Sequence, residues 1–231
     1  MSDTAIVAGH AAGRGHFVTF EGGEGAGKST QIERLRKRLH GAGVDVVVTR
    51  EPGGSPGAET IRRLLLGGRI KELGPEMEAM MFAAARADHV DTTIEPALRR
   101  GDWVLCDRFA DSTRIYQGEA GVDTAFLDRL EALAVAGCRP DLTVLIDVPA
   151  DVGIARVAAR SSAGAAPQPD RFETEGENVQ DRRRRMFLEL AASQPERFLV
   201  VDGTQTPDAV ELEIWQAVSA RLLQAEEEAW R

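Results

Sequence analysis

A strand-like run, Phe17-Val18-Thr19-Phe20-Glu21, leads into Gly22-Gly23-Glu24-Gly25-Ala26-Gly27-Lys28-Ser29 and then into a helical pattern in which Ile32, Leu35 and Leu39 share one face. A Gly, four residues and then Gly-Lys-Ser, set between a strand and a helix, is the pattern of a phosphate-binding loop. The glycines let backbone N–H groups turn inward around phosphate oxygens, and the helix N-terminus adds the positive end of its dipole. Gly22, Gly23, Glu24, Gly25, Ala26, Gly27, Lys28, Ser29 and Thr30 are therefore candidate nucleotide-binding residues. Lys28 would reach the β/γ-phosphates and the Ser29 hydroxyl would ligate Mg²⁺. A dinucleotide fingerprint is excluded, because its third glycine would fall where Lys28 stands.

The rest of the chain repeats the alternation that this motif begins. Apolar or β-branched runs at Phe17–Glu21, residues 44–49, Trp103–Asp107, Leu142–Asp147 and Phe198–Asp202 are separated by helical patterns. Runs that are apolar without alternation suit strands covered on both faces, and helices between them make right-handed crossovers. The fold class expected is α/β, a P-loop NTPase with a doubly wound, five-stranded parallel sheet flanked by helices. The runs end at Glu21, Thr49-Arg50, Asp107, Asp147 and Asp202, so these polar residues should line one cleft at the carboxyl edge of the sheet. Residues 75–100 read as a long helix bent near Pro96. The last helix starts at Pro207, with Val210, Ile214, Ala217 and Val218 inward. Residues 161–169 lack periodicity and read as a mobile loop between two helical patterns. The domain expectation is a disordered tail over residues 1–15 and one domain over residues 16–231, with a lid at about residues 160–178.

Composition removes several functional classes. A net charge of −9 leaves no general basic surface for a nucleic-acid polymer, and 5% aromatics leave few stacking platforms for single strands. Cys106 and Cys138 have no metal-ligand spacing and read as core residues. No apolar run approaches the about 18 residues of a membrane span, and residues 1–15 lack the pattern of a signal peptide, so the expectation is a cytoplasmic protein.

Among phosphate-loop proteins, GTPases need Asn-Lys-x-Asp to read guanine, but the single asparagine, Asn178, precedes Val179. Asp-x-x-Gly and Leu-Ser-Gly-Gly-Gln are absent as well. A compact chain with a phosphate loop and a lid suggests a small-molecule kinase. Asp107-Arg108-Phe109 ends the third strand, where Asp107 could hold Mg²⁺ directly or through water and Arg108 could clamp a phosphate. Thr49-Arg50-Glu51-Pro52-Gly53-Gly54 puts another arginine before a rigid turn at a strand end.

With these pieces in order, the chain resembles the thymidylate kinase family, of the bacterial type with an acidic, arginine-free phosphate loop. The resemblance covers about residues 16–220. It is carried by Phe20 to Thr30, by Thr49-Arg50-Glu51-Pro52-Gly53-Gly54, by Met81-Phe82-Ala83-Ala84-Ala85-Arg86 and by Ile94-Glu95-Pro96-Ala97-Leu98. It continues through Asp107-Arg108-Phe109, Asp111-Ser112-Thr113, Tyr116-Gln117-Gly118, Arg139-Pro140-Asp141 and Asp170-Arg171-Phe172-Glu173. The resemblance implies a homodimeric nucleoside-monophosphate kinase that uses ATP with Mg²⁺ to convert dTMP to dTDP for dTTP biosynthesis. It implies a dTMP site of Glu24, Arg50, Phe82, Arg86, Arg108, Ser112, Thr113, Tyr116 and Gln117. Phe82 would stack on thymine, Arg86 and Thr113 would bond the base, and Tyr116 would pack beneath the sugar and disfavour a ribose hydroxyl. Glu24 would meet the 3′-hydroxyl, and Arg50 and Arg108 would hold the acceptor phosphate. Catalysis would rest on Lys28, Arg108 and a lid arginine, for which Arg160 and Arg171 are the two candidates. Arginines 182 to 185 read as a solvated helix turn. A kinase of another monophosphate, such as dUMP or CMP, and a nucleotide-binding regulator without turnover remain alternative readings.

Overall fold

A computed structural model describes residues 13–68, 70–162, 172 and 175–223. Five strands form one parallel sheet: β1 (Phe17–Glu21), β2 (Val46–Arg50), β3 (Trp103–Asp107), β4 (Leu142–Asp147) and β5 (Phe198–Asp202). Their spatial order is β2-β3-β1-β4-β5. The chain first builds to one side of β1 and then crosses to the other, so the topological switch lies between β1 and β4. In such a sheet the crevice at the carboxyl ends beside the switch is the natural ligand site. Register aligns those ends, with Phe20 and Arg50 both opposite Asp107 and Glu21 opposite Leu145.

The pleat of β1 shows why a continuous apolar run was needed. Val18 and Phe20 face a core shared with α1 (Lys28–Gly41) and α9 (Pro207–Val218), where Ile32, Leu35, Leu39, Val210, Ile214 and Val218 are buried. Phe17 faces the other side, where Val90, Ile94, Leu98, Val104, Cys106 and Phe109 pack. All five β1 residues are buried, as expected for a strand covered on both faces. Both cysteines are buried and free.

The remaining helices are α2 (Pro56–Leu66), α3 (Pro75–His89), α4 (Glu95–Arg99), α5 (Ala110–Glu119), α6 (Thr124–Val135), α7 (Ala150–Ser162) and α8 (Glu177–Ser193). The long helix expected over residues 75–100 runs as continuous helical backbone from Pro75 to Arg99. Its irregularity is a π-helical turn, Val90–Ile94, between α3 and α4 and just before Pro96. Pro96 has no N–H for the carbonyl one turn back, and the widened turn upstream absorbs that loss. The last helix starts as expected, with Pro207 in its first turn behind Thr206, whose side chain accepts from the Ala209 N–H. Ala217, expected inward, is half-buried.

The expected tail over residues 1–15 lies outside the described residues as far as residue 12. Its end is tied to the body: the Gly15 N–H donates to the Leu98 carbonyl at 2.8 Å and Arg14 pairs with Glu95 at 3.3 Å. Of the expected lid, residues 163–171 and 173–174 lie outside the described residues, Arg171 among them. Helix α7 runs through Ser161 and Ser162, which the sequence had assigned to the loop. Among the described residues no helix is long and apolar enough to cross a membrane.

Candidate functional site

The phosphate loop connects β1 to α1 at the carboxyl edge of the sheet. Its tightest constraint is at Gly25, which has φ +71° and whose missing Cβ would lie 2.3 Å from the Gly153 carbonyl oxygen of α7. The reverse also holds, since a Cβ on Gly153 would lie 2.4 Å from the Glu24 carbonyl oxygen. Backbone thus meets backbone where α7 docks on the loop. Lys28 is buried, and its Nζ donates to the carbonyls of Gly22 at 3.2 Å and Gly23 at 3.0 Å. Burial pushes its pKa down, as does Arg108, while Glu24, Asp107 and Glu21 pull it back up.

Beside the lysine, the Ser29 Oγ donates to Asp107 Oδ2 at 3.0 Å. A hydroxyl and a carboxylate converging at a phosphate loop are hard oxygen donors of the kind Mg²⁺ takes, with water and phosphate oxygens completing its shell. The pair therefore fits the metal. Among the described residues no cluster of three or more acidic, His or Cys side chains forms an all-protein cage.

Arg108 adopts φ 69°, a left-handed conformation uncommon for a residue with a side chain. The strain is held by bonds on each side. The Arg108 N–H extends the ladder to the Phe20 carbonyl at 2.9 Å, while the Phe109 N–H donates to Glu21 Oε1 at 2.8 Å. Ser112 donates its Oγ proton to Glu21 Oε2 at 2.6 Å. So held, the Arg108 guanidinium reaches Gly22 O and Ser112 Oγ, each at 3.1 Å, and Glu24 Oε1 at 2.6 Å. Tyr116 donates its hydroxyl to the same Glu24 oxygen at 3.0 Å. Burial alone would raise the Glu24 pKa, but Arg108 and Lys28 outweigh it and keep the carboxyl below its ordinary value. Glu21 goes the other way: burial, reinforced by Asp111, pushes it up to about 7 against the pull of Arg108.

Arg86, on α3, forms the far wall. It is buried, donating to Glu51 Oε2 at 2.8 Å, to Thr113 Oγ1 at 2.9 Å and to the Phe109 carbonyl at 3.2 Å. The other Glu51 oxygen lies 3.1 Å from His89 Nδ1, and His89 Nε2 lies 2.7 Å from Thr49 Oγ1. Gly54 allows that chain of contacts, since with φ +85° its Cβ would sit 2.3 Å from His89 Nε2. Phe82 is half-buried and faces Phe172 at 6.4 Å between ring centroids.

These walls enclose a cleft of about 290 Å³. It is lined by the loop from Glu24 to Thr30 and by Arg50, Phe82, Arg86, Asp107, Arg108, Ser112, Thr113, Tyr116, Gln117 and Arg160. The structure therefore brings together every described site residue named from sequence except Gly22 and Gly23, which begin the loop behind the cleft. Arg50 and Gln117 have protein partners too: Arg50 donates to Glu59 at 2.9 Å and Gln117 to Glu78 at 3.1 Å. Arg160 lines the cleft from the last turn of α7.

Sequence reasoning missed Glu51 and His89. Glu51 sat inside a quoted motif, but a carboxylate at a strand end carries no local sign that it will be buried against an arginine 35 residues away. The arginine run is a correction. Arg183 is buried, its guanidinium 4.2 Å from the Tyr116 ring centroid, and Arg184 makes two bonds to Asp147 at 2.7 and 2.8 Å. Four successive arginines on a helix point in four directions, and two of those face the sheet edge and α5 rather than solvent.

The chain is similar to known proteins over nearly its whole length. A family model described as thymidylate kinase matches residues 20–214. A thymidylate kinase of Bradyrhizobium diazoefficiens is 50% identical over 224 residues, covering 96% of each chain. One from Bradyrhizobium sp. strain BTAi1 is 52% identical over 97% of this chain and 98% of its own. One from Rhodopseudomonas palustris is 53% identical over 91% of both.

Proposed function

Because the chain belongs to the thymidylate kinase family, we propose that it transfers the γ-phosphoryl group of ATP to the 5′-phosphate of dTMP, giving dTDP and ADP for dTTP biosynthesis. One observation carries this reading: a single cleft has the phosphate loop on one wall and Phe82, Arg86, Thr113 and Tyr116 on another. A donor and an acceptor nucleotide bound there would meet at Arg108.

In the reaction an oxygen of the acceptor phosphate forms the new bond to the γ-phosphorus as the bond to the β-bridging oxygen breaks, and ADP leaves. The acceptor is already anionic near neutral pH, so no general base is needed. The protein positions the two phosphates and spreads the charge that moves between them. Lys28 holds the donor phosphates, exchanging the carbonyls of Gly22 and Gly23 for phosphate oxygens. Arg108 and Arg50 hold the acceptor phosphate, Arg50 leaving Glu59 to do so. Ser29 and Asp107 would hold Mg²⁺, which when bound neutralises charge on the donor phosphates. Arg86, fixed by Glu51, bonds the base edge together with Thr113, and Phe82 stacks on the ring. Glu24, kept ionised by Arg108 and Lys28, accepts from the 3′-hydroxyl. The lining of the cleft by Arg160 supports its role as the lid's cation; Arg171 shares that candidacy. The exposed Leu73, Met77 and Met80, just before α3 and in its first two turns, support a homodimer.

The test is coupled ADP release with dTMP, dUMP, UMP, CMP and AMP as acceptors. We expect turnover with dTMP well above that with UMP, CMP and AMP. ADP release that no monophosphate increases would overturn the kinase reading, and equal rates with dTMP and UMP would remove the role given to Tyr116. Sedimentation should return twice the 25.0 kDa chain mass; a monomer at micromolar concentration would remove the dimer.

A further inference from the structure

Arg183 does not line the cleft; it stands against the Tyr116 ring from α8. Its guanidinium carbon lies 4.2 Å from the Tyr116 ring centroid, and the residue is only 6% exposed. Two carboxylates flank it: Glu175 in a short ion pair and Glu119 at 3.5 Å. Phe172 meets the same tyrosine ring edge-on at 5.4 Å and sits 5.9 Å from the guanidinium. Arg183 Nε is buried and has no hydrogen-bond partner among the described residues.

That last detail separates two accounts of the residue. A guanidinium placed for ion pairing alone would present its whole fork of donors to the carboxylates. Here one buried donor has no partner among the described residues, which is costly, while the planar group lies over an aromatic face. Tyr116 is therefore held by both its parts, the ring by Arg183 and Phe172, with the Arg108 guanidinium farther off at 5.1 Å, and the hydroxyl by Glu24.

We propose that Arg183 is a positioning residue for acceptor selection, fixing the Tyr116 ring so that it excludes a ribose 2′-hydroxyl. The inference rests on the sugar-facing role given to Tyr116 above. A ring free to swing by about an ångström would leave room for the extra hydroxyl, because selectivity of this kind depends on sub-ångström placement. Phe172 and Glu175 both belong to the expected lid.

The experiment measures kcat and KM of the full-length enzyme for dTMP and for 5-methyluridine monophosphate, which differ only at the 2′-position. Arg183→Lys keeps a cation between Glu119 and Glu175 but has no planar face to stack. Glu175→Gln keeps the guanidinium and removes its lid-side charge. We expect the ratio of kcat/KM between the two acceptors to fall about tenfold in Arg183→Lys and less in Glu175→Gln. The change should appear in KM for the ribonucleotide, with kcat for dTMP within about twofold of wild type. A wild-type enzyme that discriminates and an Arg183→Lys variant with the same ratio would overturn the inference while leaving the kinase reading intact. A loss of thermal stability and of kcat on both acceptors, with the ratio kept, would overturn it too, as a purely structural role. A wild type that turns over dTMP but does not discriminate would overturn the Tyr116 role and this inference with it. Should Arg183→Lys fail to fold, the Glu175→Gln ratio decides alone: a wild-type value overturns the proposal.

Discussion

The chemistry of this chain is concentrated in a few buried charges whose neighbours decide their state. Lys28 gives up water for two backbone carbonyls, which leaves the amine dry and aimed at the place where triphosphate oxygens would replace them. Lys28→Met should lower kcat by roughly 10²–10³, as loss of a single preorganised charge-stabilising donor does, with the circular dichroism spectrum unchanged; a few-fold effect would mean the loop does not work through this side chain. Glu21 offers a pH test. Its carboxyl is raised by burial and by Asp111 from 4.5 to about 7, so the folded chain holds its proton more tightly than the unfolded chain. The stabilisation is complete below the unfolded value and is lost as pH rises through the folded one. Wild type should therefore lose melting temperature relative to Glu21→Gln between about pH 5 and pH 8, and parallel profiles for the two proteins would contradict the assignment. Neither the burial of Glu21 nor that of Glu51 can be read locally, because each is created by residues that arrive from other parts of the chain.

At the scale of elements, the site is a convergence of strand ends and helix starts. Register places Arg50 and Asp107 opposite each other, so motifs 57 positions apart in sequence become neighbours at one edge. Helix α7 matters through its backbone. Gly153 lets it lie directly on the phosphate loop, where an added Cβ would come within 2.4 Å of the Glu24 carbonyl oxygen. Gly153→Ala must push the helix or the loop away, an overpacking strain of about 1–3 kcal/mol. We expect the KM for ATP to rise about tenfold or more; an unchanged KM would mean that the loop does not depend on its contact with α7. The π-helical turn between α3 and α4 is also an element-scale outcome. Pro96 foretold an irregularity, but the position of the widened turn was settled by the packing of Val90 and Ile94 into the core below β3.

Considered as a whole, the molecule is one sheet with a two-sided apolar core and a polar crevice at the switch between β1 and β4. A ligand that binds only the folded form must stabilise all of it together. dTMP at about a hundredfold its Kd should add about 2.7 kcal/mol, a rise of roughly 5–10 °C in melting temperature for a chain of this size. UMP at the same concentration should give a clearly smaller shift, and equal shifts would argue against selection at the sugar. The sequence by itself determined the strand–loop–helix around Lys28, the five strands and the polar strand ends. Those features are local: an apolar run, a glycine at a turn or a Lys-Ser pair at a helix start states its physical purpose within a few residues. Tertiary structure alone decided that Arg50 rests on Glu59, that Arg86 is fixed through Glu51 beside His89, and that Arg183 lies against Tyr116 while its neighbours in the run pair elsewhere. Burial and pairing of a charge depend on which distant segment folds over it, and a helix rotates successive side chains by about 100° each, so one run of arginines can hold both a solvated residue and a buried one.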